Sequence, residues 1–230
     1  MTKRKPLAIL FAAALLIQIS CNKSDYCQEY YFFTMNVGND LHEPFINLGD
    51  SITLRIDFDN MIEDNKKNTL FDVAEVDVKP VLILKSYTNP YSAYNNYPSA
   101  KEDFEIEILE GNLLTNEDST ARFLLHTQYL PSEVVHIDAE RSGEVNRVAV
   151  KLKPAKRGTY FLYWHYGNVH NLYRDSIEEE GRDCSDAVFF NYKNVGAVNF
   201  ELAESNSSIN NDTWRNDLIN AKAITFFEVR

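Results

Sequence analysis

An all-β chain, folded as an antiparallel β-sandwich with one or two short helices, is the fold class this sequence predicts. Apolar residues recur at every second position, as in Ile52, Leu54, Ile56 and Phe58 against Thr53, Arg55 and Asp57. That period turns one side of an extended segment to a core and the other to water. About ten such runs follow one another with turns between them. Helix signals are confined to Asp175 with Glu178, closed by Gly181, and to Asn211 or Asp212 with Trp214 and Leu218 on one face. Each is a single-turn signal, and neither makes a helical layer. Many short strands with so little helix pack as two sheets, each burying one face.

The leader sets where the later residues work. Lys3, Arg4 and Lys5 form a positive start, the stretch from Leu7 to Ile19 is apolar except for Gln18, and small Ser20 precedes Cys21. A secretory signal ends this way, and the run is shorter than the roughly 20 apolar residues that cross a bilayer. A cysteine in the first position after such a site resembles the lipobox of bacterial lipoproteins, with Gln18 standing where that pattern carries Leu, Val or Ile. The resemblance implies cleavage after residue 20 and acylation of the Cys21 thiol. With Asn22, Lys23, Ser24 and Asp25 following, the leader is similar to those of Bacteroidota lipoproteins, many of them displayed on the cell surface. It implies a protein held at the outer membrane by an N-terminal lipid, surface-exposed or periplasm-facing. The expected division is a signal peptide over 1–20, an anchor and tether over 21–28, and one sandwich domain over 29–230.

Composition supports a core of good size, with 44% hydrophobic residues, 13 Tyr, 14 Phe and 2 Trp. The formal charge is -11, and loss of Lys3, Arg4 and Lys5 with the leader makes the remainder more acidic. Such a surface repels nucleic acid, and no basic cluster offsets it. If Cys21 carries lipid, Cys27 and Cys184 remain as an even pair in a compartment that permits disulfides. A bridge closing so long a loop is worth about 5 kcal/mol on the chain-entropy model. Two buried thiols are the alternative. Neither cysteine has a second Cys or a His at zinc-ligand spacing, the nearest histidines being His42 and His170.

Along the chain, strands are expected over 30–37, 52–58 and 81–85. Phe104, Ile106 and Ile108 then alternate with Glu105 and Glu107, and 121–127 and 134–138 follow. Val148, Val150 and Leu152 alternate with Arg147, Lys151 and Lys153. The turn Pro154-Ala155-Lys156-Arg157-Gly158 leads into an aromatic run over 159–166, which makes a hairpin. The last two strands are expected over 197–202 and 223–229. The segment Lys156-Arg157-Gly158-Thr159-Tyr160-Phe161-Leu162 resembles the turn and late strand of immunoglobulin-like domains of secreted bacterial proteins. That implies an immunoglobulin-like sandwich, whereas the strand pattern alone is equally that of a jelly roll.

Chemistry is harder to find. There is no G-x-S-x-G, no H-E-x-x-H and no glycine-rich phosphate loop among only eight glycines. No catalytic residue, cofactor or metal site is therefore assigned. His42, His126, His136, His165 and His170 are scattered, and core or surface roles fit them better than metal ligation. Acidic residues gather at Asp57, Asp59, Glu63 and Asp64, and again at Glu178, Glu179, Glu180, Asp183 and Asp186. Calcium needs six to eight oxygens, but the first cluster fails the helix-loop-helix calcium pattern, and a solvated acidic loop is the expectation.

The stretch from Ser86 to Ser99 lacks a strand period yet holds Tyr87, Tyr91, Tyr94 and Tyr97 with three asparagines. Loop tyrosines supply rigid contact area with a polar tip, which suits a protein or glycan ligand. The other reading is a loop whose rings pack on the edge of a sheet. Ser51, Ser119 and Ser176 each follow an aspartate and precede Ile or Thr, which resembles the O-glycosylation acceptor of exported Bacteroidota proteins. The reading that these observations favour is a non-enzymatic binding or interaction module on a lipid anchor. A carbohydrate-active hydrolase with carboxylates on separate loops is the alternative, and a structural subunit of an envelope assembly the third.

Overall fold

The computed structural model describes residues 30–73, 78–87, 97–114, 133–165, 170–173, 185–204 and 222–230. Two sheets carry almost all of them, as the alternating runs predict. In the first sheet the strands lie in the order β10 (Glu140–Ser142), β11 (Val145–Pro154), β3 (Ile52–Asp59), β1 (Tyr30–Asn39), β14 (Ser185–Asn194) and β13 (His170–Tyr173). β7 (Phe104–Glu110) shares the far edge of β11 with β10. The second sheet runs β2 (Phe45–Ile46), β15 (Thr225–Val229), β12 (Gly158–His165), β6 (Val81–Ser86), β9 (Val134–Asp138) and β8 (Asn112–Leu113). A separate hairpin is made of β4 (Met61–Glu63) and β5 (Leu70–Asp72). Two pairings, β1 with β14 and β15 with β2, are parallel. The antiparallel expectation did not contain these, because period two carries no direction.

The main core lies between the sheets. β3 shows the simplest case: Ile52, Leu54 and Ile56 are wholly buried and Phe58 nearly so, while Arg55, Asp57 and Asp59 are exposed. Phe33, Val37, Val148, Val150 and Leu152 join them from β1 and β11, and Leu82, Leu162, Trp164 and Phe227 meet them from the second sheet. Burying a side chain of this size stabilises the fold by about 1.5–3 kcal/mol.

The second sheet is buried on its other face as well. Val81, Ile83, Val134, Phe161, Tyr163 and Phe226 form a second core with Tyr87, Tyr97, Phe200, Ala203 and Ile224. Part of its cover is the segment that follows β14, including the single turn α1 (Glu201–Glu204). Phe200 and Ala203, three apart, face the sheet together, and the Phe200 ring stands edge-on to Phe226 at 5.5 Å. This corrects the strand expected over 197–202. Asn199 has φ 52°, a left-handed conformation no strand holds, and its side-chain amide donates to the Phe226 carbonyl at 3.0 Å.

A polar knot fixes where that covering segment leaves β14. The Asn194 amide donates to the carbonyls of Ala197 and Ile224 and to the Thr225 hydroxyl, at 3.0, 3.1 and 2.7 Å. The Asn39 amide joins the same Ala197 carbonyl at 3.0 Å. Thr225 is buried, so these bonds satisfy groups that water cannot reach.

The turn singled out in the sequence takes a recognisable form. The Tyr160 hydroxyl donates back to the Lys156 carbonyl at 3.3 Å and to the Asp103 carboxylate at 3.4 Å. A tyrosine near a strand start bonded to backbone a few residues upstream is the corner used by immunoglobulin-type sandwiches. Burial, the charge of Asp103 and that hydrogen bond push the phenol up to about 12.

Candidate functional site

The two ends of the sandwich differ in what they hold. β1 begins at Tyr30 and ends at Asn39, which pairs with Leu54 near the start of β3. Ile52 at that start pairs with Leu152, and β11 then turns through 155–157 into β12. Beside that turn the Tyr87 amide donates to the Thr159 carbonyl at 2.7 Å, and the Ser86 amide to the Pro98 carbonyl at 3.0 Å. Tyr87 and Pro98, described residues on either side of 88–96, therefore lie at the end opposite to the start of β1. Ten strand residues at about 3.3 Å each separate the two ends by about 30 Å.

Two of the four tyrosines expected to meet a ligand are core residues. Tyr87 and Tyr97 are 7% and 2% exposed, and their rings stack at 5.2 Å. Tyr97 also stands edge-on to Phe161 at 5.2 Å, and the Tyr87 hydroxyl donates to the Ala203 carbonyl at 3.2 Å. Burial of Tyr87, with the neighbouring Tyr97 phenol, pushes its own phenol above the ordinary range. The correction has a simple physical reason: the second sheet needs cover on its outer face, and these rings supply it. Tyr91 and Tyr94, between these two roots, lie outside the described residues.

The outer face of the first sheet is open and charged in ordered rows. Arg55 pairs with Glu110 at 3.3 Å, Arg147 with Asp57 at 3.8 Å, Lys151 with Glu107 at 3.1 Å and Lys153 with Glu105 at 3.8 Å. All are exposed or half-exposed, so each pair adds little stability. Their chemistry is nevertheless informative. Carboxylic acids that cleave glycosides face one another across the substrate, one of them kept protonated. On this face each of these carboxylates faces a cation and not a second carboxylate.

The histidines fall in separate settings. His42 is exposed, whereas His136 is buried and its proton affinity is lowered by burial and by the Lys101 charge. His136 and His165 lie on either side of Val81 in the second sheet. Among the described residues no three His, Cys, Asp or Glu side chains gather to hold a metal, and no helix is long and apolar enough to cross a membrane.

One acidic residue departs from the solvated loop that the sequence suggests. Asp64 closes the β4–β5 hairpin and is completely buried. Its carboxylate accepts the backbone N–H of Phe32 at 2.8 Å, of Lys66 at 2.8 Å and of Lys67 at 2.6 Å. Burial alone would raise its pKa, but the three N–H donors and the Lys67 charge together hold it below its ordinary 3.8. The two lysines extend over the first rings of β1, with Lys66 Nζ 3.4 Å from the Phe32 ring centre and Lys67 Nζ 4.0 Å from that of Tyr31. Sequence reasoning missed this cluster, because its partners are some thirty residues apart.

A pH dependence follows. The folded pKa of Asp64 lies below the unfolded one, so its stabilisation is complete above about pH 4 and is lost as pH falls through the folded value. Asp64→Asn should flatten that acid limb in urea titrations at stepped pH. Asp64→Ala at neutral pH should cost about 2–4 kcal/mol, since it strands backbone donors that a charged acceptor now satisfies.

Of the remaining expected positions, Ser51 is exposed just before β3, in a turn where Asp50 accepts from the backbone and side-chain amides of Asn47 at 3.0 Å. Cys21, Cys27, Cys184, Ser119 and Ser176 lie outside the described residues, as do the strand expected over 121–127 and both expected helices.

No protein-family model and no curated protein sequence matches the chain. Among solved structures, the chain has a likeness to the CupB6 tip adhesin from Pseudomonas aeruginosa, with 12% identity over 72% of this chain and a TM-score of 0.20. The match spans 42% of that adhesin chain, and so slight a likeness decides nothing about function.

Proposed function

We propose that the chain is an envelope lipoprotein, anchored at the outer membrane through Cys21, that acts as a non-enzymatic binding module for a protein or glycan. The observation that carries this reading is the placement of the two ends. The start of β1, where the tether from Cys21 joins, and the roots of the tyrosine stretch at Tyr87 and Tyr97 occupy opposite ends of one rigid sandwich. An anchor at one end turns the other away from the bilayer. With Tyr87 and Tyr97 committed to the core, Tyr91 and Tyr94 are the residues assigned to the ligand. In the same reading Cys27 and Cys184 form a disulfide, and Ser51, Ser119 and Ser176 are glycan acceptors.

The test compares wild type with the Tyr91→Ala/Tyr94→Ala double variant. Both are used, with the anchor intact, to capture partners from detergent-solubilised membranes, and their thermal midpoints are measured alongside. The expected result is a protein or glycan held by wild type and released by the variant, with the midpoint nearly unchanged. Surface truncations away from packing usually cost under about 0.5 kcal/mol. Equal retention by both proteins would place the ligand elsewhere, and loss of binding together with a large fall in midpoint would make these rings structural.

A further inference from the structure

We infer that His136 makes the β8–β9 edge of the second sheet an acid-sensitive latch, closed at neutral pH and loosened when the imidazole takes up a proton.

Position is the first argument. Along β9, Val134 belongs to the outer core, while Val135 and Ile137 belong to the main one. Alternation therefore turns His136 to the outer face, where it pairs with Val81 of β6. His136 is 6% exposed, and its Nδ1 has no hydrogen-bond partner. A neutral imidazole tolerates one idle nitrogen at modest cost, whereas an imidazolium there holds a charge and two N–H donors away from water.

Charge is the second. The Lys101 ammonium is fixed close by, donating to the Val134 carbonyl at 2.8 Å. Burial first, and then the Lys101 charge, hold the proton affinity of His136 below its ordinary 6.5. The other charged groups on the elements packed against it are Lys79 and Lys85 before and on β6, Glu133 and Asp138 at the two ends of β9, and His165 on β12. The Glu133 charge acts on the buried Lys85. Of the acids in the turn that begins at Lys101, Glu102 is exposed and Asp103 is paired with Lys156.

The third is how lightly the edge is held. β9 meets β6 over three residue pairs, and β8 meets β9 over two. Beyond these, the Ile137 and Ala139 N–H groups donate to the carbonyls of Pro80 and Val78 at 3.1 and 3.2 Å, and the Leu114 N–H donates to the His136 carbonyl at 3.0 Å. A short edge opens by itself more readily than the centre of a sheet. Once it opens, His136 regains water and its ordinary proton affinity. The open form then binds the proton more tightly, so the closed form loses stability as pH falls below 6.5, until pH passes the lower closed-state value. This window lies above the one set by Asp64.

Amide hydrogen exchange of the full-length protein at about pH 7.5 and about pH 5.5, corrected for intrinsic rates, reads the opening. Opening at the Leu114, Ile137 and Ala139 amides is expected to rise about tenfold, the ratio for an ordinary histidine that protonates only in the open form. The amides of β3 should not follow, and in His136→Leu the rise should vanish. No rise at the three amides, a rise that persists in His136→Leu, or an equal rise across β3 overturns the latch. The wild-type His136 imidazole is titrated separately by NMR, with a midpoint below 6.5 expected. A midpoint at or above that value overturns the latch whether or not the leucine variant folds.

Discussion

Tyr97→Ala is expected to cost about 3–5 kcal/mol of stability, the range for removing a large buried ring and leaving a cavity. Tyr97 is 2% exposed, stacks on Tyr87 and stands edge-on to Phe161 in the core that covers the second sheet. Its loss would also loosen Tyr87, whose hydroxyl holds the Ala203 carbonyl of the covering segment. Urea denaturation followed by far-UV circular dichroism measures the cost. A change under 0.5 kcal/mol would mean that the ring is exposed in solution, as a ligand-contact role for it would require.

Gly111→Ala should destabilise by about 3 kcal/mol, combining left-handed backbone strain with overpacking. Gly111 has φ 100° where the chain passes from β7 in the first sheet to β8 in the second. A Cβ there would lie 2.7 Å from the Asp138 carbonyl oxygen and 3.0 Å from the Ile137 side chain. A carbonyl fixed in a strand cannot move aside as the end of a long side chain can. Gly49→Ala is the control, because its φ of 102° carries comparable strain with nothing within 4 Å of the added carbon. The difference between the two midpoints isolates the crossing.

Strands with one wet face were legible from the sequence, and β3 follows its alternation residue by residue. The parts that escaped are those where a segment is buried for reasons distant along the chain. β6 is apolar on both faces because a second core covers its outer side, and even Lys85 in that strand is buried, which lowers its proton affinity. The tyrosine stretch reads as a polar loop because its roots pack on Phe161 and Phe226, more than sixty positions away. The apolar centre of β14 follows a run of acids, Glu178 to Asp186, that reads as a loop. Asp64 looks like one of several solvated carboxylates until the turn it closes brings it under Phe32. Local period reports which face of a segment is apolar, but not which segment will cover it.

The measurement that tests the central claim most directly is the mass of the N-terminal peptide of the protein extracted from membranes. The account predicts a chain beginning at Cys21, with its thiol carrying a diacylglyceryl group. An unmodified Cys21 inside a retained leader, or a soluble chain without acyl groups, would contradict it.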